Sequence, residues 1–197
     1  YIMKNITDVI IRLARLEDMA NVQKIYAPYV TNTAITFEYD VLSVAEFENR
    51  YKTIMQKHPF LVASVNNEIA GYAYAGSFID RQAYDWTAEL SVYIKEDMQK
   101  KGIGRSLYAE LERILRLQNV QICYACIAYT DDKSDPYLNN TSIEFHKKML
   151  YQTIGNFMQC GYKFERWYHM CYMEKRLIKQ SDTPKPFIAF SKLVQSI

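Results

Sequence analysis

An amphipathic segment near the middle of the chain opens with an unusual set of residue types. The stretch MQKKGIGRSLYAEL, residues 98–111, carries apolar residues at helical spacing from Ile103 onward, which predicts a helix. Three cations and two glycines stand at its start: Lys100, Lys101, Gly102, Gly104 and Arg105. A helix N-terminus disfavours cations but presents unpaired N–H groups, which glycine leaves accessible. A bound phosphate would explain the pattern; a solvated basic turn is the alternative.

A carboxylate lies on the predicted strand that precedes this segment. In WTAELSVYI, residues 86–94, strand alternation puts Ala88, Leu90, Val92 and Ile94 on one face and Glu89 on the other. Because the strand lies between other predicted strands, Glu89 should occupy a cleft or have a shifted pKa. The sequence therefore predicts a functional carboxylate, with a solvated sheet edge as the alternative.

Other chemistries fit the sequence poorly. The P-loop pattern is absent, and the dinucleotide fingerprint lacks its third glycine after Gly102 and Gly104. Cys123 and Cys126 form C-x-x-C, but they lie in a strand-like run, and no second pair follows at zinc spacing. We therefore predict structural thiols and no metal site.

Composition narrows the class of protein. The 197 residues are 49% hydrophobic and 23% charged, as in ordinary globular proteins, and the net charge is +2. This charge is too small to predict nucleic-acid or membrane partners, and no apolar run reaches membrane-spanning length. Four cysteines fit free thiols in a reducing compartment, so a cytoplasmic location is expected.

Strand and helix signals alternate along the chain and predict one α/β (α+β) domain. Two strand-like runs joined at Asn66-Asn67 predict a hairpin, and Gln152 to Leu177 predicts two strands that turn at Gly161. Capping-box patterns at Ser43–Glu46 and Thr141–Glu144 predict two helix starts. A further helix is predicted by an apolar stripe: Val22, Ile25, Tyr26 and Tyr29. The polar residues 131–140 predict a loop.

The pattern Q-x-x-G-x-G after a strand, at Gln99, Gly102 and Gly104, resembles the acetyl-coenzyme A loop of GCN5-related N-acetyltransferases (GNAT). TFEYDVLS, AYDWTAELSVYI, NNTSIEFH and CGYKFERWYHM resemble the phosphinothricin N-acetyltransferase-like branch, in the same order. The likeness covers residues 9–177. It implies a mixed sheet of about seven strands with about four flanking helices, a GNAT domain at 1–178 and a tail of unknown structure at 179–197.

The resemblance also implies roles for individual residues. Acetyl-CoA would be the acetyl donor, with Glu89 as general base and the N–H of Val92 facing the developing oxyanion. His146 occupies a position where a tyrosine often protonates the departing thiolate; simple packing is the alternative. The residues implied to hold acetyl-CoA are Val92, Tyr93, Ile94, Gln99, Lys100, Lys101, Gly102, Ile103, Gly104, Arg105, Asn139 and Ser142.

Arg81, Tyr93 and Tyr108 match substrate-side positions, so the resemblance implies a small amino-acid-like amine of the phosphinothricin or methionine sulfone or sulfoximine type. Ile79 replaces a second basic residue of some relatives, which argues against phosphinothricin itself. A protein or peptide N-acetyltransferase and a non-catalytic acyl-CoA-binding module remain alternatives. The branch also implies a homodimer. Two departures are Leu150-Tyr151, in place of a glycine-aromatic pair, and a longer loop from Thr130 to Asn140.

Overall fold

The computed structural model describes residues 9–179 and 183–194. The first eight residues of the predicted domain, and residues 180–182 and 195–197 of the predicted tail, lie outside the described residues. A seven-stranded mixed sheet has the order β1-β2-β3-β4-β5-β7-β6, in which only β4 and β5 are parallel. The strands are β1 (Val9–Leu13), β2 (Phe60–Val65), β3 (Glu68–Ser77), β4 (Thr87–Ile94), β5 (Ile122–Tyr129), β6 (Gln152–Lys163) and β7 (Arg166–Arg176).

Helices cover both faces of the sheet and are named α1 (Met19–Asn32), α2 (Val44–Lys57), α3 (Ile103–Leu117), α4 (Thr141–Lys148) and the short α5 (Phe190–Leu193). Helix α3 packs on the face formed by Ala88 and Leu90 of β4, with Leu107 and Leu111 fully buried. Helices α1 and α2 pack on the opposite face, where Tyr93 joins their cluster. This two-sided packing confirms the predicted mixed sheet with flanking helices.

Two of the four local capping and turn signals are confirmed. The hairpin turns at Asn66 and Asn67, both with positive φ, as expected for a two-residue hairpin turn. The Ser43 side chain caps α2 by accepting from the N–H of Glu46, and the Ser43 N–H donates to the Glu46 carboxylate. The predicted Thr141 cap is wrong, because Asn140 precedes the first helical residue and no side chain caps α4 there.

The turn predicted at Gly161 is also wrong. Strands β6 and β7 turn at Phe164 and Glu165, both with positive φ, whereas Gly161 lies within β6 and is buried. A Cβ atom at Gly161 would lie 2.2 Å from the ring of Phe37. This glycine therefore permits close packing of Phe37 on the strand rather than a chain reversal.

The described part of the tail packs onto the domain. Phe190 is buried in the core beside α3, and Gln118 donates to the main-chain oxygen of Ile188 at 2.8 Å. Ser191 donates to the main-chain oxygen of Gln56 at 2.8 Å, which ties the tail to α2. Within residues 9–179 and 183–194, no helix is long and apolar enough to cross a membrane.

Candidate active site

The central feature of the site is a gap between β4 and β5. These parallel strands pair only at Thr87–Ile122, Ala88–Cys123 and Glu89–Tyr124, and both continue for several residues beyond. A groove of about 1640 Å³ opens where they separate. Among its lining residues are Val92, Tyr93, Ile94, Gln99, Lys100, Gly102, Ile103, Gly104, Arg105, Tyr108, Asn139, Ser142 and His146. Glu89, the last paired residue of β4, lies directly before this opening.

Main-chain groups of β4 are shared between β3 and the groove. Lys95 donates its N–H to the main-chain oxygen of Ala70 on β3. Main-chain groups alternate in direction along an antiparallel strand, so those of every second residue before Lys95 also point toward β3, and those of the residues between point away from it. The N–H and C=O groups of Leu90, Val92 and Ile94 therefore face the groove. Those of Tyr93 face Tyr72 of β3, which differs from the prediction that Tyr93 offers strand-like bonds to the coenzyme.

The start of α3 forms one end of the groove. Gly102 is the N-cap with φ of 82°, and the bond from Ser106 N to Gly102 O is the first of the helix. The N–H groups of residues 103–105 consequently point outward without helical acceptors. Lys100, Lys101 and Arg105 are exposed and form no ion pair with any described residue, so their charge is available to an anion. This cradle fits a diphosphate, although Lys101 itself does not line the groove.

Glu89 combines burial with a lack of partners. Burial raises the pKa of its carboxyl group above the ordinary value. No hydrogen bond or ion pair joins this carboxylate to another residue within the described ranges. Its paired neighbour on β3 is Gly76, where an added Cβ atom would meet nothing within 4 Å. Glu89 therefore has open space on one side, as a group that must reach a substrate requires.

His146 and Tyr108 form a buried pair on the coenzyme side of the sheet. His146 Nδ1 lies 2.7 Å from the main-chain oxygen of Ser142 and must carry the proton, so Nε2 accepts from the Tyr108 hydroxyl at 2.9 Å. The Tyr108 hydroxyl also lies 3.3 Å from Leu90 O, at the mouth of the gap. Burial lowers the pKa of His146 to about 4, so it is neutral at neutral pH. This geometry orients Tyr108 and gives His146 no proton to donate into the groove.

The remaining predicted residues lie on the groove wall or outside the groove. Asn139 lies on the groove wall, and its Oδ1 accepts from the N–H of Thr141 at 3.1 Å. Arg81 is exposed, precedes a short 3₁₀ turn and does not line the groove. Cys126 and Cys123 are free thiols whose pKa values burial raises, that of Cys126 to about 11. Cys123 is buried and Cys126 is half-buried at the groove, and their raised pKa values are those of unreactive thiols.

Tyr29 is a groove residue that the sequence pattern assigned only to a helix stripe. Its hydroxyl donates to Ile94 O at 2.5 Å and accepts from Ile94 N at 3.3 Å. Gln99 of the glycine loop donates to the same hydroxyl at 3.0 Å. Helical periodicity could not single out Tyr29, because its partners lie far away in sequence.

Comparison with known proteins identifies the family. Residues 11–172 match the family described as acetyltransferase (GNAT) domain, and the chain belongs to this family of acetyltransferases. The phosphinothricin N-acetyltransferase of Streptomyces viridochromogenes is 30% identical over 84% of this chain and 86% of its own. The L-methionine sulfoximine/L-methionine sulfone acetyltransferase of Pseudomonas aeruginosa is 29% identical over 88% of this chain and 98% of its own.

A solved structure supports the same assignment. The phosphinothricin acetyltransferase of Sinorhizobium meliloti, crystallised in complex with acetyl-CoA, superposes with a TM-score of 0.79. It is 28% identical, and the match covers 92% of this chain and 98% of that chain. The chain therefore has the GNAT fold that the resemblance of its glycine loop and neighbouring segments implied.

Proposed function

We propose that this protein transfers the acetyl group of acetyl-CoA to the primary amine of a small amino-acid-like molecule, with Glu89 as general base. The observation that carries the proposal is the Glu89 carboxylate at the point where β4 and β5 separate, partly desolvated and without a partner among residues 9–179 and 183–194. A structural carboxylate would normally be paired, whereas a base must stay open to its substrate.

The groove supports acetyl-CoA as the donor. The outward N–H groups at residues 103–105 and the cations Lys100 and Arg105 suit the diphosphate. The C=O of Val92 and the main-chain groups of Ile94 suit an extended amide chain, which would pair with β4 as an added strand. A donor held at both ends would present its thioester near Leu90 and Glu89.

Transfer then requires three events. The acceptor amine, protonated in neutral water, gives one proton to Glu89, which passes it to solvent. Its nitrogen then forms a bond to the acetyl carbon and gives a second proton to Glu89. The Val92 N–H stabilises the negative charge that develops on the acetyl oxygen. The carbon–sulfur bond breaks and coenzyme A leaves as a thiolate. The Tyr108 hydroxyl, whose proton is held by His146 Nε2, lines this part of the groove beside Leu90 O, so the sulfur leaves without a protein acid.

The acceptor class rests on the relatives. Enzymes whose names give phosphinothricin and methionine sulfoximine or sulfone as substrates are similar over most of this chain. These compounds share an α-amine and an α-carboxylate. Arg81, which is exposed and makes no ion pair with a described residue, can receive the carboxylate.

A thiol-release assay tests the proposal directly. The wild-type protein should release coenzyme A thiol from acetyl-CoA when amino acids, sulfones or phosphinic analogues are added. Glu89→Gln should lower kcat by about 10²- to 10⁴-fold, the usual contribution of a general base. The loss should be largest at low pH, where free amine is scarce. Coenzyme A affinity should not change.

Glu110→Gln is the matched control, because Glu110 pairs with Arg113 on the surface of α3. Full activity of Glu89→Gln at pH 6.5 would eliminate Glu89 as the base. If the protein bound acetyl-CoA but released no thiol with any amine, an acyl-CoA sensor would be favoured instead. If thiol were released only with peptides, a protein N-acetyltransferase would be favoured.

We further propose that the chain forms a homodimer through β6. This strand is an edge of the sheet, twelve residues long, and exposes apolar side chains. Ile154, Phe157 and Met158 are 49%, 54% and 59% exposed, and Trp167 on β7 is 58% exposed. A long apolar edge strand favours association unless another chain covers it.

Sedimentation velocity tests this association. Ile154→Arg and Trp167→Glu should each shift the protein toward a monomer, because they place charge in a buried interface. Leu117→Arg, at an exposed site on α3, is the control and should leave the sedimentation coefficient unchanged. A wild-type monomer at micromolar concentration would contradict the proposal.

The state of the thiols bears on location. Cys123, Cys126, Cys160 and Cys171 are all free. Free thiols persist in reducing compartments, so they support the predicted cytoplasmic location. Fractionation of the expressing cell would test it.

A further inference from the structure

The sheet face that carries Glu89 also carries a cluster of aromatic rings. Directly paired residues of neighbouring strands point to the same face, so Tyr124 of β5 lies beside Glu89. Tyr172 of β7 lies opposite Cys126, two residues further along β5 on the same face. Gly76 on the other side of Glu89 contributes no side chain. The base therefore stands between an open space and a set of aromatic rings.

These rings contact one another and are not part of the hydrophobic core. The ring of Phe78 lies 4.2 Å from that of Tyr124, 6.1 Å from Tyr172 and 6.2 Å from Tyr84, measured between centroids. All four are half-buried or exposed, and none belongs to the three buried clusters of the described residues. We call Phe78, Tyr84, Tyr124 and Tyr172 the aromatic floor.

The charged groups around the floor are of both signs. Glu174 pairs with Tyr124 in the β5–β7 register, so two carboxylates, Glu89 and Glu174, flank that ring, and Arg176 lies two residues beyond Glu174 on the same face. Arg81 lies at the rim, where its main-chain oxygen accepts from the N–H of Tyr84 at 2.9 Å. An α-carboxylate can reach a cation at the rim, whereas the floor itself offers aromatic faces to the acceptor side chain.

We propose that the preferred acceptor is an α-amino acid with an aromatic side chain, which packs on the aromatic floor while its amine meets Glu89. This inference rests on the proposed function and specifies its substrate. Stacked or edge-to-face rings add a favourable contact beyond simple burial. An aliphatic amino acid gains only the burial, and an acidic side chain gains neither the burial nor the ring contact.

The test is the kcat/KM of coenzyme A thiol release for phenylalanine, tyrosine, tryptophan, alanine, aspartate and phosphinothricin. The aromatic amino acids should exceed alanine and aspartate by about tenfold or more, as expected from ring packing on several aromatic partners. Tyr124→Ala should lower kcat/KM for phenylalanine by about tenfold and leave that for alanine nearly unchanged.

Tyr129→Ala is the matched control, because Tyr129 lies on the same strand but points to the other face. Its acceptor preference should equal that of the wild type. Higher kcat/KM for phosphinothricin or aspartate, or an equal loss for all acceptors in Tyr124→Ala, would overturn the inference. Thiol release for any amino acid would leave the proposed function standing in that case, whereas no release at all would remove both.

Discussion

Replacing Tyr29 by phenylalanine removes one hydroxyl from a position that the coenzyme should need. That hydroxyl bonds both main-chain groups of Ile94, at 2.5 Å to the oxygen and 3.3 Å to the nitrogen. These are the groups that an extended pantetheine chain would bond along β4. Coenzyme binding at this residue must therefore displace the Tyr29 hydroxyl.

The size of the effect follows from the net strength of such bonds. An intramolecular hydrogen bond contributes about 1 kcal/mol relative to water, which corresponds to about fivefold in an equilibrium constant. Tyr29→Phe should therefore bind coenzyme A about fivefold more tightly. The phenyl ring keeps the edge contact with Tyr93, whose centroid is 5.1 Å away, so packing should be preserved.

Isothermal titration with two ligands isolates the cause. Coenzyme A contains pantetheine, whereas 3′-phospho-ADP is the same molecule without it and reaches only the glycine loop. Tyr29→Phe should tighten coenzyme A and leave 3′-phospho-ADP unchanged. Tyr51→Phe is the control, because the Tyr51 hydroxyl bonds to Ala14 O at 2.9 Å outside the groove. Weaker binding of both ligands would refute the reasoning and show that Tyr29 supports the loop through Gln99.

Three stability predictions follow, each measured by thermal unfolding. Leu150 is 75% exposed and has a φ of 69°, which glycine adopts without strain. Leu150→Gly should therefore stabilise the protein by about 1 kcal/mol and raise Tm by about 2–4 °C. Leu117→Gly, at an exposed site on α3, should not raise Tm. His58 is buried, and neither ring nitrogen has a hydrogen-bond partner in the described part of the chain. Burial lowers its pKa to about 4, so stability falls as pH drops from about 6.5 through 4, and His58→Leu should reduce that loss. The raised pKa of Glu89 means that its folded form loses stability as pH rises through that pKa, so Glu89→Gln should raise Tm at pH 7 but not at pH 3. These predictions would be contradicted by an unchanged Tm for Leu150→Gly, by an unchanged acid loss for His58→Leu, or by an unchanged Tm at pH 7 for Glu89→Gln.

Sequence patterns predicted those elements whose signals are local. Ser43 and Glu46 lie three residues apart and form the expected capping box, because both partners belong to one helix turn. Thr141 and Glu144 have the same spacing, yet Thr141 is already helical and Asn139 accepts its N–H. The pattern alone could not decide which of three consecutive polar residues ends the loop.

Gly161 shows the limit of reading glycine as a turn. Its absent side chain serves Phe37, more than a hundred residues earlier, and nothing near Gly161 in sequence reports that contact. The turn instead falls on Phe164 and Glu165, residue types that rarely adopt positive φ. Tertiary packing of the hairpin overrode the local preference.

The candidate site divides in the same way. The glycine loop and Glu89 could be selected as candidates from the sequence. Cations at a predicted helix start and a carboxylate on a predicted interior strand are both local sequence patterns. The pair of Tyr108 and His146 could not, since 38 residues separate them and their bond depends on how α3 and α4 pack. Tyr29 and Ile94 are 65 residues apart, and the apolar stripe that contains Tyr29 indicates only a helix face, not the hydrogen bond of its hydroxyl.

The alternation of residues along β4 sets the relative positions of the proposed base and the proposed oxyanion donor. Consecutive residues of β4 project side chains to opposite faces, while their main-chain groups alternate between β3 and the groove. Glu89 bonds its main chain toward β3 and points its carboxylate to the acceptor face, whereas Leu90 and Val92 turn their main chains to the coenzyme. A register shift of one residue would send the base to the α3 side and the oxyanion donor into β3. The short pairing of β4 with β5 fixes the point along the strand where these two sets of groups can meet, directly after Glu89.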